Sequence, residues 1–206
     1  MSAFQPNFKE ERVLLAQGFF LVAGVDEAGC GSWAGPVYAA AVILPLDSRI
    51  GSIRDSKTLS ASQRASAAAM IKEKAIWSVG IASAREIDEL NIRRAGALAI
   101  RRAVEGLRPA PQFVIVDAFH IPGLPMPQKA VVRGDRYVKS VAAASIIAKT
   151  ERDTEMERLD ALHPGYGFAI HRGYGTKAHQ AALDAHGPCP IHRLSYAPIK
   201  KYGQTA

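Results

Sequence analysis

The chain has 206 residues, 48% hydrophobic and 22% charged, with 26 Lys+Arg against 19 Asp+Glu and a net charge of +7. That length fills one good core and is short for two independent ones, two cysteines exclude a disulfide framework, and no apolar run reaches the length of a membrane helix. The first residues, MSAFQPNFKEERVLLAQGFF, carry acids before any apolar run, unlike a signal peptide, so a cytosolic protein with reduced thiols is expected. The basic surplus is C-terminal, with 15 Lys+Arg against 9 Asp+Glu over 101–206. Such a surface suits a polyanionic partner, and equally the solvated face of an ordinary enzyme.

In chain order, FFLVAGVD (19–26) and PVYAAAVIL (36–44) read as neighbouring strands joined through a Gly-rich connection, a hairpin. LSASQRASAAAMIKEKA then predicts a helix, with Ser60 and Gln63 at capping-box spacing. WSVGIASA (77–84) predicts a third strand, and EIDELNIRRAGALAIRRAVEGL a single long amphipathic helix with Ile92, Ala95, Leu98 and Ala99 on its apolar stripe. QFVIVD (112–117) is an apolar run ending in an acid, as for a strand buried on both faces. IPGLPMPQ is irregular because of its prolines, and KAVVRGD (129–135) predicts a short last strand ending at Gly134 and Asp135. A long helix, YVKSVAAASIIAKTERDTEMERL, follows, and then a loop-rich basic segment with one short helix near 177–186. The order implies one α/β domain with a mixed sheet, its core about 18–160 and its C-terminal extension about 161–206.

Four acids, Asp26, Glu27, Asp117 and Asp135, fall at or near predicted strand ends, where open α/β sheets bind ligands. Converging carboxylates repel one another unless a cation neutralises them, and hard oxygen donors favour magnesium or manganese. No His or Cys neighbours the acids as zinc would require. An all-carboxylate site beside a basic surface suits phosphoryl transfer, with two metals about 4 Å apart activating water and stabilising the leaving 3′ oxygen. One geometric difficulty stands: neighbours in a regular strand face opposite sides, so Asp26 and Glu27 need a bulge or abrupt strand end, which Gly29 and Gly31 permit. By itself Asp135 in RGDRY reads as a turn residue, whereas Asp117, ending an apolar run, is harder to dismiss. Ser145, Lys149 and Arg152 lie at i, i+4, i+7 and face either the site or solvent. Cys189 and His192 form a C-x-x-H pair without two further ligands, so no zinc site is expected.

Nine blocks in order, AGVDEAGxG, AGPV, DSKTLS, EIDELNI, VDAF, LPMPQKAVVRGD, AAASIIAKTERD, YGFAIHRGYGT and HRLSYAPIK, resemble ribonuclease HII, the prokaryotic type-2 ribonuclease H, along nearly the whole chain. The resemblance implies a ribonuclease H-like mixed five-stranded sheet flanked by helices, with a C-terminal helical extension. It implies that Asp26, Glu27, Asp117 and Asp135 are catalytic acids holding Mg²⁺ or Mn²⁺. The implied reaction is endonucleolytic cleavage of RNA in RNA·DNA hybrids and at single ribonucleotides in duplex DNA, leaving 5′-phosphate and 3′-hydroxyl ends. Tyr174 matches a tyrosine near the sugar at the RNA–DNA junction, and Lys57 a position near the phosphate backbone. Gly29-Cys30-Gly31 stands where the family has Gly-Arg-Gly, the segment that reads the ribose 2′-hydroxyl. Cysteine still supplies the backbone groups, but not the permanent charge and five donors of arginine. Ala118 stands where glycine is commoner, which matters little if the backbone there is ordinary. A monomer is expected, and the sequence reveals no sliding-clamp contact. The competing readings are a related-fold nuclease acting on DNA junctions and a hybrid-binding protein impaired in turnover by Cys30.

Overall fold

The computed structural model describes residues 5–48, 50, 53, 56 and 59–202. Five strands, Val22–Ala28 (β1), Val37–Ile43 (β2), Ile76–Ala82 (β3), Phe113–Asp117 (β4) and Gln128–Val131 (β5), form one sheet in the order β3-β2-β1-β4-β5. β1 pairs antiparallel with β2, β2 antiparallel with β3, and β1 parallel with β4, which is parallel to β5. The expected hairpin and mixed sheet are therefore both present.

The two faces of the sheet bury different helices. Ile92–Gly106 (α4) sets Ala95, Ala99, Ile100, Ala103 and Val104 against Ala23, Val25, Val37, Ala39 and Ala41. On the other face, Ala61–Lys74 (α2) and the 24-residue Lys139–Leu162 (α6) pack Ala67, Ile71, Ala143, Ile146 and Ile147 against Ala40 and Val42. The alanines of α6 let it lie close to the sheet, and Gly24 is where the approach is tightest: a Cβ there would stand 2.2 Å from the Ser140 carbonyl carbon. That contact fixes the start of α6 two residues before Asp26.

Three expectations need correction. The single helix predicted from Glu86 onward is two, Ala84–Leu90 (α3) and α4, because Asn91 takes φ +68° and its side-chain oxygen accepts from the amides of Arg93 and Arg94. An Asn cap satisfies amides that an uninterrupted helix would have bonded internally. The last strand stops at Val131 rather than 135, since Arg133 is left-handed (φ +58°), and Asp135 lies on the short helix Gly134–Tyr137 (α5). Of the two devices expected near the acids, a bulge or an abrupt strand end, the bulge does not occur: the β1–β2 ladder runs regularly through Asp26↔Ala40, Glu27↔Ala39 and Ala28↔Tyr38. The strand ends cleanly at Gly29, whose φ of +96° turns the chain. The Ser60–Gln63 capping box is present as expected.

An N-terminal helix, Lys9–Ala16 (α1), precedes the sheet. Beyond α6, Phe168–His171 (α7), Lys177–His186 (α8) and Ala197–Lys200 (α9) complete the chain, and Tyr166, Phe168 and Ala182 pack with Met156, Leu159 and Ala34. The C-terminal extension is thereby packed against the second half of α6 and the loop after β1. No helix among the described residues is long and apolar enough to cross a membrane.

Candidate active site

Asp26 and Asp117 each lie one residue beyond the paired Val25 and Val116, so the parallel β1–β4 register sets them side by side. The Asp117 carboxylate accepts the Gly134 amide at 2.7 Å, which ties the β5–α5 turn to the end of β4 and brings Asp135 in from α5. Asp26, Asp117 and Asp135 each offer an oxygen within 4.8 Å of the others. These are hard oxygen donors converging on one point, a set suited to Mg²⁺ or Mn²⁺.

Burial is the main force pushing the Asp26 carboxyl well above its usual range, with the Glu27 and Asp117 charges adding to it; a hydrogen bond from Ser145 opposes it. The Glu27 amide donates to Asp26 at 2.8 Å. Ser145 is itself bonded to Ser56 at 2.8 Å, linking α6 to the segment before α2.

Glu27 stands outside the three-acid cluster, as strand alternation requires. It lines the same cleft with Asp26, Ala28, Gly29, Asp117 and Tyr174. Its carboxylate takes the Cys30 thiol at 3.6 Å. Burial, reinforced by the Glu27 charge, pushes that thiol up to about 12, so it stays protonated. Position 30 therefore presents a neutral donor turned toward Glu27.

The Gly29–Pro36 loop is held by two buried guanidinium groups: Arg152, expected to face the site or solvent, and Arg193, which no sequence pattern marks out. Arg193, 0% exposed, donates to the Gly29 carbonyl at 2.7 Å, to Cys30 at 3.0 Å, and to Gly35 at 3.0 and 2.9 Å. Arg152, also 0% exposed, donates to Pro36 at 3.0 Å and to Ser32 at 2.8 Å, and continues to the Arg172 carbonyl at 3.0 Å. A Cβ on Gly29 would fall 2.0 Å from Arg152 Nε, so glycine is required there by space as well as by φ. Of the α6 residues in question, Ser145 and Lys149 line the cleft, whereas Arg152 is buried beneath the loop.

Cations stand at the rim. Arg64 and Lys149 both line the cleft and share Asp153, at 3.6 and 2.6 Å, and Arg172 approaches the same carboxylate at 3.9 Å. Tyr174, at the cleft mouth, has Lys149 Nζ 5.8 Å from its ring centre and lies against Gly31. Lys57 lies outside the described residues. Ala118 departs from the ordinary backbone on which its neutrality depended: its φ is +63°. His192 is bonded to the Cys189 backbone and to His179, not to a metal-type ligand set.

The Ribonuclease HII family model matches residues 23–199. The chain is 52% identical over 184 residues to a ribonuclease HII of Bordetella pertussis, covering 89% of this chain and 92% of the relative. It is 54% identical over 187 residues to that of Caulobacter vibrioides, covering 90% and 89%. Among solved structures, ribonuclease H2 of Pyrococcus horikoshii OT3 superposes with a TM-score of 0.74 at 28% identity, over 88% of this chain and 96% of that one. RNase HII of Archaeoglobus fulgidus, solved in complex with PCNA, gives 0.73 at 26% identity, over 86% and 95%. A matching profile over most of the chain, relatives above half identity and the same sheet-and-helix architecture place this chain in the ribonuclease HII family, as a ribonuclease H enzyme.

Proposed function

We propose that the protein is a divalent-metal-dependent endonuclease that cleaves the RNA strand of RNA·DNA hybrids and single ribonucleotides in duplex DNA, leaving 5′-phosphate and 3′-hydroxyl ends. The observation that carries this reading is the convergence of Asp26 and Asp117, on two adjacent parallel strands, with Asp135 from α5, in a family member. Those three would hold Mg²⁺ or Mn²⁺, with Glu27 completing the acid set from the same cleft. A divalent ion held there would supply a water-derived nucleophile at neutral pH and charge stabilisation for the leaving oxygen.

The chain's own residues account for the rest. Arg64 and Lys149 at the rim offer charge to backbone phosphates, which positions a duplex without reading its sequence. Gly29, Cys30 and Gly31 form a tight turn beside the acids, where backbone groups approach a ribose and its 2′-hydroxyl, the group separating RNA from DNA. Tyr174 faces the same cleft and offers a ring to the sugar. Lys57 is assigned to the phosphate backbone on the DSK motif alone.

The test compares a duplex carrying one ribonucleotide with its all-DNA twin, in Mg²⁺, Mn²⁺ or EDTA. Cleavage confined to the ribonucleotide duplex and abolished by EDTA is expected; equal rates on both, or persistence in EDTA, sinks the reading. Asp117→Asn removes a metal donor and should cut turnover by at least two orders of magnitude while duplex binding persists. An unaffected rate removes Asp117 from the metal site.

A further inference from the structure

Behind the loop that carries Tyr174 lie three buried histidines with no place in the acid cleft. His171, His179 and His192 are 8, 0 and 2% exposed. The His171 and His179 rings stack at 4.5 Å, and Phe168 packs edge-on against both. A buried histidine serving only to fill space needs no ordered partners, yet each of these has a polar neighbour at both ring nitrogens.

In the neutral state those neighbours allow one set of proton positions. His179 Nδ1 lies 3.0 Å from the Tyr174 carbonyl oxygen, an acceptor, so Nδ1 carries the hydrogen and Nε2 is bare. His192 Nε2 lies 3.0 Å from that bare nitrogen and must donate to it. His192 Nδ1 is then an acceptor: it takes the Cys189 amide at 2.9 Å, and the Cys189 carbonyl, 3.2 Å away, receives no hydrogen from it. His171 accepts the Gly173 amide at Nδ1, 3.2 Å, and donates from Nε2 to the Tyr166 carbonyl at 2.7 Å. Burial favours the neutral forms: it lowers His179, and with the neighbouring His179 it lowers His192 to about 4.

The result is a directed chain, Cys189 N–H to His192 to His179 to the Tyr174 carbonyl. It ends on the backbone of the residue whose ring lines the cleft. The same loop is tied forward to the segment after the acids, because the Gly173 carbonyl accepts the Trp33 amide at 2.8 Å. Tyr174 is thus held between the acid loop in front and the histidine chain behind.

We propose that His179, oriented by His192, is a positioning residue for Tyr174: it fixes the carbonyl, and with it the backbone from which the tyrosine ring is presented to the ribose. This rests on the reading of Tyr174 as a sugar-facing residue in a ribonucleotide-cleaving site. His179 touches no substrate and acts only through Tyr174.

Two experiments test it. In the unaltered protein, ¹⁵N spectra of the histidine side chains should show His179 as the Nδ1–H tautomer and His192 as the Nε2–H tautomer; the opposite assignment at His179 overturns the proposal without any substitution. A double-mutant cycle with His179→Phe and Tyr174→Ala on the single-ribonucleotide duplex supplies the functional arm. His179→Phe is expected to lower kcat/KM about tenfold alone and less than twofold in the Tyr174→Ala background. Equal losses in both backgrounds, or no loss from Tyr174→Ala itself, overturn it. Should His179→Phe fail to fold, His192→Gln and His192→Leu replace it: the amide of Gln can still donate to His179 and should retain activity, whereas Leu should lose it, and equal activities count against the chain. Failure of the functional reading looks different, since the unaltered protein would then cleave no ribonucleotide-containing duplex while the tautomers could still be read.

Discussion

Arg193→Lys keeps the charge at position 193 and removes the planar fork, so it isolates what the guanidinium geometry contributes. The side chain is fully buried and makes five hydrogen bonds: one to Gly29, one to Cys30, two to Gly35 and one to the Tyr196 hydroxyl. An ammonium on a flexible stem cannot reach all of these at once. The Cys30 carbonyl keeps the Tyr196 hydroxyl at 2.7 Å, and Gly29 keeps only the Ser32 amide at 3.3 Å, so the Gly35 carbonyl is the group left without a donor. An unsatisfied buried carbonyl costs about 1–3 kcal/mol, and a weakened neighbour adds to it, for a total of roughly 3 kcal/mol. For a chain of this size that corresponds to a fall in Tm of about 10 °C. The assay is thermal and urea unfolding, with kcat/KM on the single-ribonucleotide duplex measured well below the new Tm. Both should fall, since the same bonds hold the turn between Glu27 and Gly31. A Tm within about 2 °C of the parent, less than 1 kcal/mol on the same scale, would refute the argument that this one side chain fastens the loop.

Cys30→Arg replaces a neutral thiol beside Glu27 with a permanent charge; a charge-assisted bond to phosphate is worth about 1.5–3 kcal/mol, so kcat/KM should rise at least tenfold, and no gain would show that the rim cations already supply the contact. Ala118→Gly relieves a left-handed alanine at φ +63° and should stabilise the fold by up to about 1 kcal/mol, read as the urea midpoint; a destabilised variant would refute the strain argument. His192 has a folded pKa of about 4, below the ordinary value of 6.5, so the unfolded chain takes the proton first as pH falls. Its contribution is complete above about pH 6.5 and is lost toward pH 4, at up to about 1.4 kcal/mol per pH unit; His192→Gln should flatten that slope by as much as one proton, and an unchanged slope between pH 7 and 4 would refute it.

What could be read from the chain and what could not separates along physical lines. β1, β2 and the Ser60 cap are written in short-range patterns, an apolar run or a three-residue spacing, and each was found close to its expected place. The break at Asn91 was missed because the apolar stripe of EIDELNIRRAGALAI continues across it; an Asn immediately before Ile-Arg-Arg was the available cap signal. KAVVRGD reads as one short strand through Asp135 because its apolar run leads straight into Gly134, whereas the left-handed Arg133 that starts α5 has no signature in its own residue type. Arg152 and Arg193 were illegible as structural residues. Arginine in a sequence reads as surface, and only the carbonyls gathered from Gly29 to Pro36 make it worth burying two of them. α1 was passed over for a similar reason: Glu11 looks exposed in FKEERVLL, yet it is 3% exposed and accepts both the amide and the hydroxyl of Ser140 at the start of α6. Tyr174 and the Cys30 turn were singled out by family resemblance, not by pattern. Their placement in one cleft is what the fold adds.

The adjacent acids of β1 leave the strand on opposite faces. Strand alternation sends Asp26 to the α6 face with Asp117 and Asp135, and leaves Glu27 against Cys30 beside the α4 face. A bulge would have brought both into one cluster while disrupting the ladder next to the site. The regular strand keeps those bonds, and the chain reverses only at Gly29, where Arg152 blocks any side chain. Burial first, and then the Glu27 and Asp117 charges, hold the Asp26 carboxyl well above its usual range. A divalent cation removes the repulsion, so its binding should couple to folding, with stability growing as RT ln(1 + [M]/Kd). Opposite the acids, Arg64 and Lys149 share a single carboxylate, Asp153, which leaves net positive charge at the rim. Under the proposed function a phosphodiester would bridge the two ends of the cleft, with its scissile oxygens at the acids and its neighbouring phosphates at the cations. Under the proposed function, the polar lining that runs from Asp26 and Glu27 to Arg64 and Lys149 suits a ligand that carries phosphates and metal ions together.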